Sequence, residues 1–408
     1  MVKVGIIGAG AAGITTAKQA LSFGHDVTVY EQMNKLGGTW VYDEDLSAHS
    51  AMYEVLKTNL PREVMNYHDQ EISTELPSFV GHKEMLEYLE DYAKELPILF
   101  NHKVAHVERV DDKWKLTVEH DGKKDEVFFD ALFVCNGHYF SPRVTFSHEQ
   151  FKGKVVHSKD YRRARDFQGQ RVVVVGAGPS GIDIALQISE TAKEVFLVGK
   201  TADYQGLPDN LKQFQTRIEE AIDNRVVLTQ NHQIIDEIDT ILACTGYEMK
   251  FSFLSNDLIE TKFGGQMVSP LWNHVVHVKY PTSLFFVGIS LAAITLPLFE
   301  YQARLALSFL NGTGRIPSEE ELRDYENKRL EEVFERGMEG NAYHLLKDDQ
   351  WQYMETLSKY GNFEHFHNLE FVKGIYYHIV NTRKNVTVYK KINFVVHDDK
   401  ISFHTVPL

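Results

Sequence analysis

Hydrophobic positions repeat the same order in two separate parts of the chain. A short run of apolar residues is followed by a glycine-rich turn, a segment with apolar residues at helical spacing, and a second apolar run. Strand, helix and strand in this order form the βαβ unit of parallel sheets. The predicted elements of the two units are strands Val2–Ile7 and Asp26–Tyr30 around the first helix, and strands Arg171–Val175 and Glu194–Val198 around helix Ser180–Glu190.

The rest of the chain carries less regular patterns. Residues 32–80 have weak periodicity and many turn-forming residues, which is typical of a functional loop region. Spacing of three and four residues predicts helices at Lys83–Leu96, Leu298–Leu310, Ser318–Arg336 and Ala342–Tyr360. Apolar and β-branched runs predict strands at Lys103–Arg109, Trp114–Glu119, Glu126–Cys135, Asp239–Cys244, Leu284–Gly288, Val372–Val380, Val386–Val396 and Ile401–Val406.

The turn after each leading strand has the sequence Gly-x-Gly-x-x-Gly. It reads GAGAAG at 8–13 and GAGPSG at 176–181. Between a strand and a helix, the three glycines make the tight turn, let the backbone approach a pyrophosphate and pack the helix on the strand. Ser180 either donates to the pyrophosphate or only begins the helix. The predicted dinucleotide contacts are Gly8, Gly10, Ala12 and Gly13 in the first turn, and Gly176, Gly178, Ser180 and Gly181 in the second.

The two units differ at the end of their second strand. Glu31 stands there in the first unit, and Gly199 followed by Lys200 stands there in the second. A carboxylate at this point binds both ribose hydroxyls and repels a 2′-phosphate, whereas a lysine attracts one. The first unit is therefore predicted to bind FAD and the second NADPH, which implies redox chemistry.

The fold class that follows is α/β, with two Rossmann-like dinucleotide-binding domains. The second unit is compact and lies between elements that complete the first. The smaller NADPH-binding domain, residues 164–269, is thus predicted to be inserted into a larger FAD-binding domain formed by residues 1–163 and 270–408.

Bulk composition excludes several classes of protein. The 408 residues carry a net charge of −14, which argues against a nucleic-acid partner. No apolar run reaches the roughly 18 residues of a transmembrane anchor. No signal-peptide pattern precedes the first strand, so the chain is expected to be soluble and cytoplasmic, or secreted if a signal peptide has been removed. Two cysteines, Cys135 and Cys244, form no Cys-x-x-Cys pair, and no histidine spacing predicts a metal site.

A third group of candidate residues follows Glu31 directly. Gly37-Gly38 lets the backbone come close to a ligand, and Trp40 offers a flat apolar wall suited to a flavin edge. A glycine turn beside a core tryptophan is the structural alternative. The FAD-binding set is extended here by Gln32, Gly38, Thr39 and Trp40.

Phe151-x-Gly153-x-x-x-His157-x-x-x-Tyr161 precedes the second glycine turn. This pattern resembles the identifying motif of the flavin-containing monooxygenases. The two glycine turns, the run from Glu31 to Trp40, and Ala243-Cys244-Thr245-Gly246-Tyr247 match the family's landmarks in the same order. Baeyer–Villiger monooxygenases have a related motif that ends in Trp, where this chain has Tyr161, so heteroatom oxygenation is favoured. The sequence TNLPREVM at 58–65 resembles the corresponding segment of insect alkaloid N-oxygenases and plant S-oxygenases.

The resemblance implies roles for further residues. Asn59 would lie beside flavin and nicotinamide as the catalytic residue; a turn before Pro61 is the plainer interpretation. His157 would couple the domains rather than take part in bond chemistry. Thr295 either contacts the flavin or caps the helix that follows. The resemblance adds Thr58, Asn59, Val104 and Thr295 to the predicted cofactor contacts.

The implied activity is NADPH- and O2-dependent oxygenation of an amine or sulfide. A C4a-hydroperoxyflavin, stabilised by NADP+ and Asn59, would deliver one oxygen atom to a nucleophilic nitrogen or sulfur, with an alkaloid N-oxide as the preferred product. Partners are then a small-molecule substrate and O2, with a homo-oligomer as an open possibility. The alternatives are an NADPH oxidase or flavin reductase that releases peroxide, and a flavin-binding protein without catalytic activity.

Overall fold

The computed structural model describes residues 1–46, 50–397 and 402–408. Its helices are α1 (Ala11–Ser22), α2 (His82–Tyr92), α3 (Pro179–Ser189), α4 (Thr295–Leu310), α5 (Glu319–Glu335), α6 (Gln350–Gly361) and α7 (Leu369–Thr382). Its strands are β1 (Lys3–Ile7), β2 (Asp26–Tyr30), β3 (Ile98–Leu99), β4 (Lys103–Val110), β5 (Lys113–His120), β6 (Lys123–Phe129), β7 (Ala131–Val134), β8 (Ser147–Phe151), β9 (Lys154–His157), β10 (Arg171–Val175), β11 (Glu194–Val198), β12 (Leu211–Phe214), β13 (Ile218–Asp223), β14 (Arg225–Leu228), β15 (Ile234–Ile235), β16 (Thr240–Ala243), β17 (Glu260–Lys262), β18 (Met267–Ser269), β19 (Leu271–Trp272), β20 (Val276–His277), β21 (Leu284–Phe286), β22 (Ile392–Val396) and β23 (Phe403–Pro407).

The larger sheet contains the first glycine turn. Its seven strands run in the order β19-β20-β21-β7-β1-β2-β3. Strand β1 pairs in parallel with β2 and β7, while β21 and β3 extend the parallel part on either side. Helices α1 and α4 pack against each other beside this sheet. The central strands of this sheet are covered on both faces. For this reason β1 and β7 consist mainly of consecutive buried apolar residues and show no alternation of apolar and polar positions.

The smaller parallel sheet contains the second glycine turn. Its five strands run in the order β12-β11-β10-β16-β9, and every neighbouring pair is parallel. Strand β9, which ends at His157, comes before the glycine turn in the chain but completes this sheet. Strand β8 likewise pairs with β13 in a four-stranded sheet. Strands on the N-terminal side of the predicted domain boundary at 163/164 thus pair with strands of the 164–269 segment.

These two parallel sheets confirm the predicted α/β class with two Rossmann-like units. A three-stranded antiparallel sheet, β4-β5-β6, is attached to the larger unit and buries Trp114 completely. The predicted strand Glu126–Cys135 is in fact two strands in different sheets, β6 and β7, which are separated by Asp130.

The predicted strand Val372–Val380 is wrong, because this segment is helix α7. Its aromatic and β-branched composition favours a strand. However, its buried residues are spaced by three and four positions and form one helical face. That face is Val372, Ile375, Tyr376 and Ile379. The side chain of Asn368 accepts a hydrogen bond from the Phe371 N–H and caps the start of the helix.

Three further boundaries differ from prediction near the C-terminus. The helix predicted from Ala342 begins only at Gln350, after Lys347 with a φ of +50°. The strand predicted from Val386 begins only at Ile392, because 386–391 is a turn. The last strand runs from Phe403 to Pro407; Ile401, where it was predicted to begin, lies outside the described residues.

Candidate active site

The first glycine turn has the geometry of a dinucleotide-binding turn. Gly8 has a φ of +101°, and a Cβ on it would meet the Cys135 carbonyl oxygen at 2.5 Å. A Cβ on Gly13 would meet the Gly8 carbonyl oxygen at 1.9 Å, so this glycine lets α1 pack closely. Gly10 precedes α1 without any side-chain cap, which leaves the first N–H groups of the helix free for an anion.

The second glycine turn repeats this geometry closely. Gly176 has a φ of +103°, and a Cβ on it would meet the Cys244 carbonyl oxygen at 2.3 Å. A Cβ on Gly181 would lie 1.7 Å from the Gly176 carbonyl oxygen. A Cβ on Gly178, in contrast, would have nothing within 4 Å. The open space at Gly178 is where the motif allows a pyrophosphate to approach.

We expect Gly178→Ala to separate cofactor binding from folding. Gly178 has a φ of −82° and ψ of −173°, which alanine adopts readily, and the space around it is open. The added methyl group would instead obstruct the pyrophosphate of NADPH. The KM for NADPH should rise by about tenfold or more, since hydrogen bonds to charged groups contribute about 1.5–3 kcal/mol. Steady-state kinetics and the thermal unfolding midpoint measure the two effects.

Gly181→Ala is the matched control for this variant. It makes the same chemical change three residues later, where the new Cβ would clash with the Gly176 carbonyl. We expect a lower unfolding midpoint or failure to fold. If Gly178→Ala bound NADPH normally, the second glycine turn would not hold the pyrophosphate.

Glu31 lies at the end of β2 and is buried beside the first glycine turn. Its Oε2 accepts the Ala9 N–H at 2.8 Å and its Oε1 accepts the Met33 N–H at 2.8 Å. Burial raises the pKa of this carboxyl, and the backbone donors oppose the rise. Since each carboxylate oxygen has further acceptor capacity, the geometry leaves room for the two hydroxyls of a ribose.

Lys200 stands at the corresponding corner of the second unit and is exposed to solvent. Two hydroxyls beside it donate to the carbonyl oxygen of Ala177, from Thr201 at 3.1 Å and from Tyr204 at 2.9 Å. This corner is formed by Lys200, Thr201 and Tyr204. Where the first unit has the carboxylate of Glu31, the second has Gly199 followed by the cation of Lys200. No sequence pattern indicates Tyr204, whose place depends on tertiary packing.

Residues 37–40 turn back onto the first glycine turn. The Gly37 N–H donates to the Ala9 carbonyl at 3.0 Å, with a φ of +116° at Gly37. A Cβ on Gly38 would lie 3.1 Å from the Gly10 Cα, so the two backbones are close. Gly38, Thr39 and Trp40 form one short 3-10 turn, while Gln32 is exposed next to Glu31. The structure thus brings these predicted FAD contacts to one side of the turn.

The segment that carries Asn59 runs between the two units. The Thr58 N–H donates to the Val80 carbonyl at 2.9 Å, which fixes the segment to the larger unit. Thr58 is buried, and its hydroxyl has no hydrogen-bond partner within the described residues. The side chain of Asn59 is exposed. On the other side, the Tyr53 hydroxyl donates to Asp183 Oδ2 on α3 at 2.6 Å.

The motif at 151–161 joins strands rather than presenting groups for chemistry. His157 Nε2 donates to the Gly246 carbonyl at 3.0 Å, and its Nδ1 accepts the Lys159 N–H at 3.1 Å. Burial lowers the pKa of this imidazole, which favours the neutral form. Tyr161 is buried, and its hydroxyl donates to Gln187 on α3 at 3.0 Å. Both ring nitrogens of His157 are engaged, as a structural role requires.

The structure limits the roles that two predicted cofactor residues, Thr295 and Val104, can have. Thr295 is the first residue of α4, and Ile294 precedes it as the cap without a side-chain hydrogen bond, so the alternative of Thr295 as helix cap is wrong. The helix begins three residues earlier than predicted because Pro297 is tolerated in a first turn. Val104 packs its side chain into a hydrophobic core, so only its backbone can contact a ligand.

Among the described residues, neither the two cysteines nor the cluster of His68, Asp69 and Glu300 provides a competing reaction centre. Burial raises the thiol pKa of Cys135 and of Cys244 to about 12 each, so neither is a thiolate at neutral pH. Within the described residues, His68, Asp69 and Glu300 have ligand atoms within 4.8 Å of one another. However, Glu300 already accepts from the rings of His68 and His367, and Asp69 pairs with Lys18.

The sequence profile described as flavin-binding monooxygenase-like matches residues 1–205 and 210–369. The chain belongs to this family. Flavin-containing monooxygenase FMO GS-OX5 from Arabidopsis thaliana is 34% identical over 392 residues, which are 87% of this chain and 84% of that protein. S-allyl-L-cysteine S-oxygenase from Allium sativum has a TM-score of 0.89 at 29% identity, with 98% of this chain and 96% of that chain covered. Tmm from Pelagibacter sp. strain HTCC7211 shares the fold, with a TM-score of 0.83 at 22% identity over 99% and 97% of the two chains.

The protein is thus a flavin-dependent monooxygenase with FAD and NADPH as cofactors, as predicted. Its own residues fit the two groups. The close approach of the Gly10 and Gly38 backbones and the buried Glu31 fit FAD, and the open approach to Gly178 and the cation at Lys200 fit NADPH. Within the part of the chain that the structure describes, no helix combines the length and apolarity that crossing a bilayer demands.

Proposed function

We propose that the monooxygenase uses NADPH and O2 to add one oxygen atom to a nucleophilic sulfur or nitrogen. In this proposal, Asn59 prevents the loss of the activated oxygen as hydrogen peroxide. The observation that carries this proposal is the position of Asn59. Its exposed amide lies on a segment fixed to the FAD side through Thr58 and to the NADPH side through Tyr53 and Asp183. The proposed role requires that an amide on this segment meets both cofactors.

Bound FAD supplies hydride acceptance and reaction with O2, and bound NADPH supplies the hydride. The chain's part is to bind, to orient and to exclude water. Asn59 can donate a hydrogen bond without adding an acidic proton, and a fixed donor in a water-poor site is worth more than one in bulk water. Thr58 is already buried beside it.

Among the described residues, the titratable side chains beside the Asn59 segment are hydrogen-bonded to one another, since Tyr53 and Lys390 both donate to the Asp183 carboxylate. His157 uses both ring nitrogens in structural hydrogen bonds, and Cys244 is a neutral thiol. With these groups engaged, a substrate that needs deprotonation would lack a free base among them. A soft nucleophile, such as a thioether or a tertiary amine, needs none, which supports heteroatom oxygenation.

A thioether is the substrate class that the comparisons favour. The Allium sativum relative is described as an S-oxygenase that acts on S-allyl-L-cysteine. A tertiary amine, including an alkaloid, remains the second candidate, because the same unactivated attack suits nitrogen. Tyr161 packs against α3 where Baeyer–Villiger enzymes have a tryptophan, so insertion next to a ketone is the less favoured reaction.

A substrate panel tests this assignment. The purified enzyme is given NADPH in air with methyl phenyl sulfide, an S-alkyl cysteine, N,N-dimethylaniline or cyclohexanone. We expect NADPH use that depends on the sulfide or the amine, with sulfoxide or N-oxide in equal amount. Lactone formation would reassign the enzyme to Baeyer–Villiger chemistry. Peroxide as the only product in every case would indicate an NADPH oxidase.

A further inference from the structure

The turn between α7 and β22 connects the NADPH side of the molecule to the segment that carries Asn59. We call residues 383–391 the C-terminal turn. Near its start, the Gln205 N–H donates to the Lys384 carbonyl at 2.8 Å, and the Val386 N–H donates to the Gln205 carbonyl at 3.0 Å. Past its end, the Phe394 N–H donates to Ser78 Oγ at 2.8 Å on the larger unit. The turn is therefore fixed at both ends to different parts of the protein.

Tyr389 in this turn contacts the main chain of Asn59 itself. Its hydroxyl donates to the Asn59 carbonyl oxygen at 2.8 Å. Its ring packs edge-on against Phe79, with 5.6 Å between the ring centres, so the hydroxyl is aimed by packing on the larger unit. Burial raises the pKa of this phenol, and the charge of Asp183 raises it further. The hydroxyl therefore remains a hydrogen-bond donor throughout the physiological pH range.

Lys390, the next residue, binds the same segment at Lys57, two residues before Asn59. Its Nζ donates to the Lys57 carbonyl at 2.9 Å and to Asp183 Oδ1 on α3 at 3.1 Å. The Lys390 and Asp183 side chains are only 10% and 18% exposed. Lys390 also has a φ of +62°, a region that residues other than glycine rarely adopt. With this backbone conformation, the adjacent side chains of Tyr389 and Lys390 reach the carbonyls of Asn59 and Lys57, which lie on either side of Thr58.

We infer that Tyr389 and Lys390 are positioning residues that hold Asn59 at the junction of the two cofactors. The inference rests on the function proposed for Asn59. Tyr389 fixes the carbonyl of Asn59, and Lys390 fixes that of Lys57 to the helix that begins at the NADPH-binding turn. Catalytic donors must be held to within about 0.5 Å of their working position. Loss of either contact should therefore increase the release of hydrogen peroxide more than it slows hydride delivery.

The experiment compares Tyr389→Phe with wild type in full-length enzyme loaded with FAD. Three quantities are measured: the ratio of peroxide to sulfoxide formed with methyl phenyl sulfide, the rate of flavin bleaching by NADPH without oxygen, and the unfolding midpoint. We expect the ratio of peroxide to sulfoxide to rise about fivefold, the factor that corresponds to one neutral hydrogen bond. Bleaching and the midpoint should change little.

Matched variants separate positioning from general damage. Tyr377→Phe removes another tyrosine hydroxyl, the one that accepts the Trp351 N–H, from α7. It should leave the peroxide ratio unchanged. Lys390→Met should raise the ratio at least as much as Tyr389→Phe, whereas Lys373→Met, which removes an ion pair with Glu370 within α7, should not.

If Asn59→Ala uncouples the enzyme but Tyr389→Phe and Lys390→Met keep the wild-type peroxide ratio, the two residues do not position Asn59. Equal losses of bleaching and of coupling in both variants would also overturn the inference, since they indicate general distortion. If Asn59→Ala itself stays coupled, the proposed role of Asn59 fails instead.

Discussion

Replacing Asn59 by alanine is expected to lower the rate of oxygenated product formation by about 100-fold or more, while NADPH oxidation continues and peroxide is released. The magnitude follows from the loss of one preorganised donor in an active site, which costs about 100- to 1,000-fold in rate. NADPH oxidation should persist because the glycine turns and Lys200 are untouched.

Two companion variants sharpen this prediction. Asn59→Asp keeps the shape of the side chain but replaces the donor by an acceptor, so it should be as uncoupled as the alanine variant. Asn381→Ala removes an exposed amide on α7 and should behave as wild type. Product and peroxide are quantified against NADPH for all three. Normal coupling in Asn59→Ala would reduce Asn59 to a turn residue before Pro61.

Lys200→Glu is expected to change the choice of reductant. Its exposed ammonium is the cation at the corner where the 2′-phosphate of NADPH is predicted to lie, next to the Thr201 and Tyr204 hydroxyls. Charge reversal loses an attraction and adds a repulsion. The KM for NADPH should rise about 10- to 100-fold, as expected for hydrogen bonds to charged groups. The efficiency with NADH should rise, because a carboxylate can bind the free ribose hydroxyls.

The control for Lys200→Glu is Lys193→Glu. Lys193 is exposed just before the same strand, β11, at the end away from the glycine turn. It undergoes the same charge change, so it should keep the preference for NADPH. Steady-state kinetics with both reductants give the answer. An unchanged ratio of NADPH to NADH efficiency in Lys200→Glu would mean that another group reads the 2′-phosphate.

The two cofactor units were predictable because their signals are local. Each glycine turn, its strand and its helix occupy a short continuous segment. The first and last glycine of each turn are required by close contacts inside that segment or with the residue that follows the neighbouring parallel strand. Glu31 and Lys200 are placed by the same repeat. These features follow from backbone geometry, which the order of apolar residues and glycines specifies directly.

The surroundings of Asn59 could not be predicted in the same way. The hydroxyl of Tyr389 reaches the Asn59 carbonyl across 330 positions of sequence. Nothing near either residue indicates the other. Helix α7, which leads into the C-terminal turn, was also predicted as a strand, since its aromatic and β-branched content obscured the helical spacing of its buried face. Tertiary packing decides both features.

We propose above that the monooxygenase transfers one oxygen atom from O2 to a soft nucleophile. The most direct test supplies heavy-isotope dioxygen, NADPH and methyl phenyl sulfide to the FAD-loaded enzyme and measures the mass of the product. We expect one heavy oxygen atom in each sulfoxide molecule and one NADPH consumed for each. A sulfoxide without the label, or NADPH consumption balanced entirely by hydrogen peroxide, would contradict it.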